Sequence, residues 1–272
     1  MSKARILLFD SGMGGLTVAS AVARQLPDAH LVYAADNAGF PYGAWKEDAL
    51  RERIVKVLGA LIARAKPDVV VIACNTASTI AMAALREAYK VPFVGTVPAI
   101  KPAAAQTKSR IIGVLATPGT VNREYTHALI HTYAFHCKVF LHGAPRLAEM
   151  AEQKLRGHKI DMVELKDEVA PVFRKRDGGR TDVVVLGCTH YPLLTDEISE
   201  VAPWPVIYID PSSAIARRVA DVAEETPVHG EDGNMPAHGT VILTSARAGG
   251  SETLTAYGMM GFPRHDVLEM AV

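Results

Sequence analysis

Two of the three cysteines in this chain stand in matching surroundings. Cys74 closes the run Asp68-Val-Val-Val-Ile-Ala and leads into Asn75-Thr76. Cys188 closes Asp182-Val-Val-Val-Leu-Gly and leads into Thr189-His190, 114 residues later. A pair of thiols at equivalent strand ends suggests two groups facing one small ligand from opposite sides. One thiolate would take a proton from a carbon while the opposing thiol returns one to the other face, which is what a racemase needs. A free thiol has a pKa near 8.5, so each sulfur needs a neighbour to set its protonation state. Asp10 is the candidate beside Cys74, and His190 the candidate beside Cys188.

Other readings of the same residues are weaker. Asp10-Ser-Gly-Met-Gly-Gly15 follows an apolar run, as a nucleotide-binding loop would, but Thr17 stands where a dinucleotide fingerprint has its third glycine, and no Walker lysine follows. A phosphatase-type aspartate would want a second acid at Gly12. Zinc on Cys74, Cys188 and His190 would require side chains from distant segments to converge within about 2.3 Å of one ion, with none of the usual short ligand spacings, so no metal is expected. Polar residues after strands also serve as helix caps, yet capping alone would not place cysteine at both strand ends. Cys137, in His136-Cys-Lys138 with no polar turn after it, reads as a packing residue. With no C-x-x-C, a disulfide framework or thioredoxin-type pair is not signalled.

The elements that must position these groups alternate along the chain. Strand-length apolar runs fall at residues 5–9, 30–34, 68–73, 93–96, 110–115, 138–141, 182–187, 206–209 and 240–244. Helical periods fall at 15–25, 46–66, 77–89, 99–106, 122–130, 144–157, 161–174, 192–201 and 212–225. Uniform Val/Ile/Leu runs suit parallel strands covered on both faces, so the expected fold class is α/β with mostly parallel sheets. Three segments recur in the same order at offsets of 105 to 114 residues: Arg5-Ile-Leu-Leu8 with Arg110-Ile-Ile-Gly113, the two cysteine strands, and Val91-Pro-Phe-Val94 with Trp204-Pro-Val-Ile207. They predict two similar α/β halves. Residues 174–180 read as a surface loop and residues 226–239 as a longer excursion.

Composition closes off other classes. The 272 residues carry 29 Lys+Arg against 29 Asp+Glu, a formal net charge of zero, which gives no electrostatic reason to expect nucleic acid. At 49% hydrophobic and 21% charged the chain is too apolar for disorder. No apolar run approaches the roughly 20 residues that cross a bilayer, so no membrane partner is expected and the setting is expected to be cytoplasmic.

Phe9-Asp-Ser-Gly-Met-Gly-Gly-Leu-Thr17, Asp36-Asn37 with Phe40-Pro-Tyr-Gly43, Ala73-Cys-Asn-Thr-Ala-Ser78, Ala116-Thr-Pro-Gly-Thr120 and Gly187-Cys-Thr-His-Tyr-Pro192 together resemble the glutamate racemase family in order and spacing. The resemblance implies a cofactor-independent enzyme interconverting L- and D-glutamate for peptidoglycan synthesis. It implies Cys74 acting on the D-isomer and Cys188 on the L-isomer, with Asp10 and His190 as auxiliary groups. Ser11, Asn75, Thr76 and Thr189 would contact the substrate's carboxylate and ammonium groups, Tyr42 and Gly43 would offer backbone contacts, Thr117 and Thr120 a substrate-side turn, and Glu152 a carboxylate near the histidine. It further implies a homodimer, and two domains, residues 1–97 with 210–272 and residues 98–209, enclosing the site in their cleft. The chain departs from the family pattern at Ala38-Gly39, where Arg is common, and in the polar turn Arg146-Leu-Ala-Glu-Met150. It begins four residues before its first strand, so control by a cell-wall precursor through an N-terminal extension is expected to be absent. Aspartate and hydantoin racemases, a maleate isomerase with one covalent cysteine, and a non-catalytic glutamate-binding protein are the competing readings.

Overall fold

Strands too uniformly aliphatic to have a wet face have to be covered on both sides, and this requirement organises the molecule. A computed structural model describes residues 3–228, 235–248 and 250–271. Its strands are β1 (Arg5–Asp10), β2 (His30–Ala35), β3 (Val69–Ile72), β4 (Phe93–Gly95), β5 (Ile111–Ala116), β6 (Lys138–Gly143), β7 (Lys175–Arg176), β8 (Gly179–Arg180), β9 (Val183–Leu186), β10 (Ile207–Ile209), β11 (Thr240–Leu243) and β12 (Arg264–Val267). The helices are α1 (Leu16–Gln25), α2 (Glu47–Ala65), α3 (Asn75–Ala88), α4 (Ile100–Gln106), α5 (Pro118–Val121), α6 (Glu124–Tyr133), α7 (Leu147–Leu155), α8 (Met162–Val169), α9 (Thr195–Val201), α10 (Ser212–Glu225) and α11 (Ser251–Met259).

Two parallel sheets result. One runs β12-β11-β2-β1-β3-β4 and the other β10-β9-β5-β6. The order β2-β1-β3-β4 is reproduced by β6-β5-β9-β10, so the sequence echo corresponds to a repeated α/β half. In each half the chain leaves the first strand to one side and returns on the other. The switch points therefore lie between β1 and β3 and between β5 and β9, and ligands of open α/β sheets bind outside the carboxyl ends of strands at such points. Cys74 and Cys188 follow β3 and β9.

Strand alternation divides each sheet's burial between two layers. Ile6, Leu8, Tyr33, Val69 and Val71 pack under α1, α10 and α11, whereas Leu7, Phe9, Val32, Val70 and Ile72 pack under α2 and α3. In the second sheet Leu115, Val184 and Leu186 face α7 to α9, and Ile112, Val114, Val183 and Val185 face α4 and α6. Helix α2 shows how one helix joins its layer: Leu50, Ile54, Val57, Leu58, Leu61 and Ala65 form one buried stripe at helical spacing, and Glu47 and Asp48 occupy the favourable acidic first turn.

The differences from the sequence expectation have local causes. Residues 174–180 fold into the hairpin β7-β8, too short and too charged to show a period. Helix α11 buries Thr253, Ala256 and Tyr257 but presents no apolar stripe, and β12 reads Arg-His-Asp-Val because it is an exposed edge strand. The helix expected at 122–130 is α6, starting at Glu124, and the separate short helix α5 precedes it; the one expected at 192–201 opens with the 3₁₀ turn Tyr191–Leu194. Part of the 226–239 excursion, residues 229–234, lies outside the described residues.

Candidate active site

The loop leaving β1 is the floor on which the site is built. Asp10 is fully buried, with Oδ1 accepting the Gly12 N–H at 2.7 Å and Oδ2 accepting the Thr189 hydroxyl at 3.0 Å. Asp10 thus spans the two halves, and Thr17 adds a second bond from its hydroxyl to the Thr189 carbonyl at 3.3 Å. The glycines of this loop are explained by close approach rather than by phosphate binding. A Cβ on Gly12 would lie 2.3 Å from Glu152 Oε1, and one on Gly14 would lie 2.2 Å from His190 Nδ1. Their absence lets groups of the second half reach the backbone of the first: Met13 N–H donates to Glu152 Oε1 at 2.6 Å, and Gly14 N–H donates to His190 Nε2 at 3.1 Å.

Cys74 is the N-cap of α3, its sulfur accepting the Ala77 N–H at 3.5 Å. It is 6% exposed. Burial, reinforced by the Asp10 carboxylate, pushes its thiol well above the usual range, against the hydrogen bonds from Ala77 and Ser11; Cys188 is close enough to add its own charge. The two sulfurs therefore share one electrostatic environment. Ser11 sits 3.5 Å from Asp10 Oδ1. Asn75, 2% exposed, has neither its amide nitrogen nor its oxygen hydrogen-bonded. Buried amides seldom stay unpaired in folded proteins, so this one is open to a polar partner from outside the chain.

Cys188 is furnished differently. It is 7% exposed and lies 3.9 Å from His190 Nδ1. The far nitrogen of that ring has two partners of opposite kind, the Gly14 N–H and Glu152 Oε1 at 3.0 Å. A bare Nε2 can accept from Gly14 and a protonated one can donate to Glu152, so the ring is accommodated in either protonation state. Burial works against the imidazolium. The hydrogen bonds to Cys188 and Glu152, with the charges of Cys188 and Asp10, outweigh it and raise the histidine well above 6.5. Burial would likewise raise Glu152, but His190, the Met13 N–H and Arg156 prevail and lower it. Asp10 keeps the burial effect: its pKa rises from 3.8 to about 6 despite His190, Gly12 and Thr189.

The opposite side of the cleft is closed by hydroxyls. Thr76 Oγ1 lies 3.3 Å from Thr117 Oγ1 across the halves, and Thr117 lies 2.9 Å from Thr120 Oγ1 while capping α5. The nearest atom to a Cβ on Gly43 would be Thr117 Cβ, at 3.6 Å, which sets that backbone beside the same turn. Tyr42 is anchored through its hydroxyl to Asp36, which also accepts the Nε and Nη2 N–H groups of Arg53, at 2.7 and 2.6 Å, and the Thr244 hydroxyl at 2.7 Å. Gly39 is one of the two residues, Ala38-Gly39, that stand where the resemblance expects an arginine, and a Cβ there would lie 2.6 Å from Arg53 Nε.

All thirteen residues expected from the sequence, Asp10, Ser11, Tyr42, Gly43, Cys74, Asn75, Thr76, Thr117, Thr120, Glu152, Cys188, Thr189 and His190, thus gather at or beside one junction. Sequence reasoning missed the Asp36–Arg53 pair behind Tyr42, although a carboxylate directly after β2 was a signal. It also missed the backbone N–H groups of Met13 and Gly14, which no side-chain pattern reveals. Among the described residues no cluster of three His, Cys, Asp or Glu could hold a metal ion, and no helix is long and apolar enough to cross a membrane.

Comparison with known proteins gives one answer at three levels. The sequence matches the model of the Asp/Glu/Hydantoin racemase family over residues 16–219. It is 56% identical to the glutamate racemase of Brucella anthropi over 218 residues, 80% of this chain and 78% of that one. It is 51% identical to the glutamate racemase of Brucella canis over 232 residues, 84% of each chain. The fold superimposes on the crystal structure of Escherichia coli glutamate racemase in complex with L-glutamate and the activator UDP-MurNAc-Ala with a TM-score of 0.91, at 39% identity and 98% coverage of both chains.

Proposed function

The chain belongs to the Asp/Glu/Hydantoin racemase family, and from that premise we propose that it interconverts L- and D-glutamate by a two-thiol proton transfer that needs no cofactor. The carrying observation is the pair of buried cysteines at equivalent switch points of two repeated halves, with the unpaired Asn75 amide beside them. In the direction from L to D, the Cys188 thiolate takes the α-proton and the Cys74 thiol delivers its own to the opposite face. In the reverse direction the roles exchange. Each turnover moves one proton in and one out, so no oxidant or external base is consumed.

The difficult step is forming charge at a carbon beside an ionised carboxylate. Preorganised donors in a dry site stabilise such charge, and loss of one typically costs about 3 kcal/mol. Asn75, Thr76, Ser11 and Thr189 supply them in this reading, together with the opening N–H groups of α3. Tyr42-Gly43 and the Thr117–Thr120 turn receive the rest of the substrate. Asp10 and His190 set the protonation of the two sulfurs, and Glu152 steadies the ring. The same proposal takes residues 1–97 with 210–272 and residues 98–209 as the two domains, supported by the membership of the two sheets. It takes the active species as a homodimer in the cytoplasm, supplying D-glutamate to peptidoglycan, on kinship with the glutamate racemases.

The test is to incubate the protein with L- and, separately, D-glutamate in D2O without added cofactor, following α-deuterium and optical rotation. Wild type should racemise both, and Cys74→Ser and Cys188→Ser should each lose at least roughly 10³-fold in turnover, the combined reach of an acid/base group and its positioning. Binding of glutamate without α-deuterium uptake would instead make the site a binding cleft.

A further inference from the structure

Helix α7 belongs with the second sheet, yet its last turn is fastened to the first half. Leu155 packs against the apolar layer under β1 and β2, beside α11. One turn earlier Glu152 accepts the Met13 N–H. Next to Leu155, Arg156 spreads its guanidinium between two partners: Nη2 donates to Glu152 Oε2 at 2.8 Å, and Nε donates to Thr253 Oγ1 on α11 at 3.1 Å. Thr253 is itself buried, at 6% exposed.

The two oxygens of Glu152 therefore have separate duties. Oε1 meets His190 Nε2 and the Met13 N–H, while Oε2 is occupied by Arg156. Only the plane of the carboxylate connects them, so fixing Oε2 fixes the direction in which Oε1 meets the imidazole. Exposed ion pairs contribute little, but here the Glu152 side chain is 4% exposed and the Arg156 side chain 33%. The helix supplies the spacing, because residues four apart lie on one face. The planar fork supplies the span, since an ammonium is a single point and cannot serve a carboxylate and a hydroxyl along two fixed directions.

We propose that Arg156 is a positioning residue for the Cys188 side of the reaction, orienting Glu152 under His190 and locking that pair to helix α11 of the opposite half. This rests on the two-thiol reading above. Substituting Arg156 does not touch the sulfurs, but it frees Glu152 to rotate and leaves His190 without a fixed acceptor at the moment Cys188 exchanges its proton.

The two substrates are mirror images, so the equilibrium constant is unity and a variant lowers kcat/KM equally in both directions. Primary isotope effects distinguish the two half-reactions instead: α-deuterated L-glutamate reports transfer at Cys188, and α-deuterated D-glutamate reports transfer at Cys74. Arg156→Met should lower kcat/KM roughly tenfold, below the 10²–10⁴ attributed to a general acid or base itself. It should also enlarge the isotope effect with L and shrink it with D. Arg156→Lys should fall between. Thr253→Val, which leaves the Arg156–Glu152 contact, should give a weaker skew of the same sign. An unchanged kcat/KM, or a loss without a skew toward L, overturns the assignment, because a merely loosened fold slows both transfers alike. If Arg156→Met does not fold by circular dichroism, Thr253→Val decides, and absence of a skew there overturns it. Wild type that exchanges no α-proton sinks the two-thiol reading and this inference together; wild type that does, with an unskewed Arg156→Met, sinks this inference alone.

Discussion

The Cys74 turn and the Cys188 turn leave equivalent strands of repeated sheets, yet their neighbours furnish them for different protonation chemistry. Cys74 is buried and faced by a carboxylate, and together these outweigh the N-terminus of the fourteen-residue helix it caps, so its resting form is the thiol. Cys188 is followed by a short 3₁₀ turn, which folds His190 back so that its ring reaches the sulfur. A racemase has mirror-related substrates but no mirror-related protein, and in the proposed mechanism one thiolate with one thiol begins a turnover. The unlike neighbours hold that asymmetry: burial and a carboxylate keep the proton on one side, while an imidazole with two alternative partners handles it on the other.

The strongest way to break this comparison is to remove the imidazole. His190→Asn keeps a polar group of similar reach but cannot carry a proton at neutral pH, and it should lower kcat/KM by roughly 10²–10⁴, the range for a lost acid/base group. The accompanying isotope effect should grow with α-deuterated L-glutamate and not with D, a larger form of the signature expected of Arg156→Met. Equal growth with both enantiomers would mean that His190 serves both sulfurs and that the two turns are not distinct.

Asp10 offers the next contrast, in stability. Its pKa in the folded protein is about 6 against 3.8 for the free side chain, the first cause being burial. A raised carboxyl pKa means that the folded state binds the proton more tightly than the unfolded state. The favourable contribution is therefore complete below about pH 4, and is lost as pH rises to about 6; above that, the ionised carboxylate costs roughly 3 kcal/mol by linkage. Asp10→Asn should accordingly melt several degrees higher than wild type at pH 8, with the gap closing toward pH 4, while turnover falls. A variant that melts lower at pH 8 would show that the bonds from Gly12 and Thr189 need the charge.

How much of this could be read from the chain follows from the same contrast. The aliphatic strands, the cysteines after them and the hydroxyl turns were legible because each announces itself locally, by composition and period. The repeat made the two halves legible as well. What was not legible depends on contacts between segments far apart. That Gly12 and Gly14 are small to admit Glu152 and His190, 140 and 176 positions away, has no local mark. Arg156 reads as an ordinary helix-end base, and Arg53 as one charge on an amphipathic helix, until Thr253 and Asp36 are brought against them. Helix α11 escaped for a related reason, since it buries threonine, alanine and tyrosine rather than a stripe of leucines.

Asn75 carries the smallest expected effect on stability and sharpens the comparison most, because the turn after Cys188 has no equivalent unpaired amide: Thr189 at the matching place is already bonded to Asp10. A buried polar group without a partner costs about 1–3 kcal/mol, and alanine removes that cost at the price of a small void. Asn75→Ala should therefore raise the melting temperature of the ligand-free protein by a degree or two. Ligand binding to the native state adds stability as RT ln(1 + L/Kd), with L the free ligand concentration, so glutamate should stabilise wild type more than the variant and reverse their order at high concentration. If glutamate raises both melting temperatures equally, the amide is not a ligand contact, and the orphaned pair would have to be assigned to water. The Cys74 side would then lose its distinguishing donor, and the carboxylate would have to be held from the Thr189 side and the helix end alone.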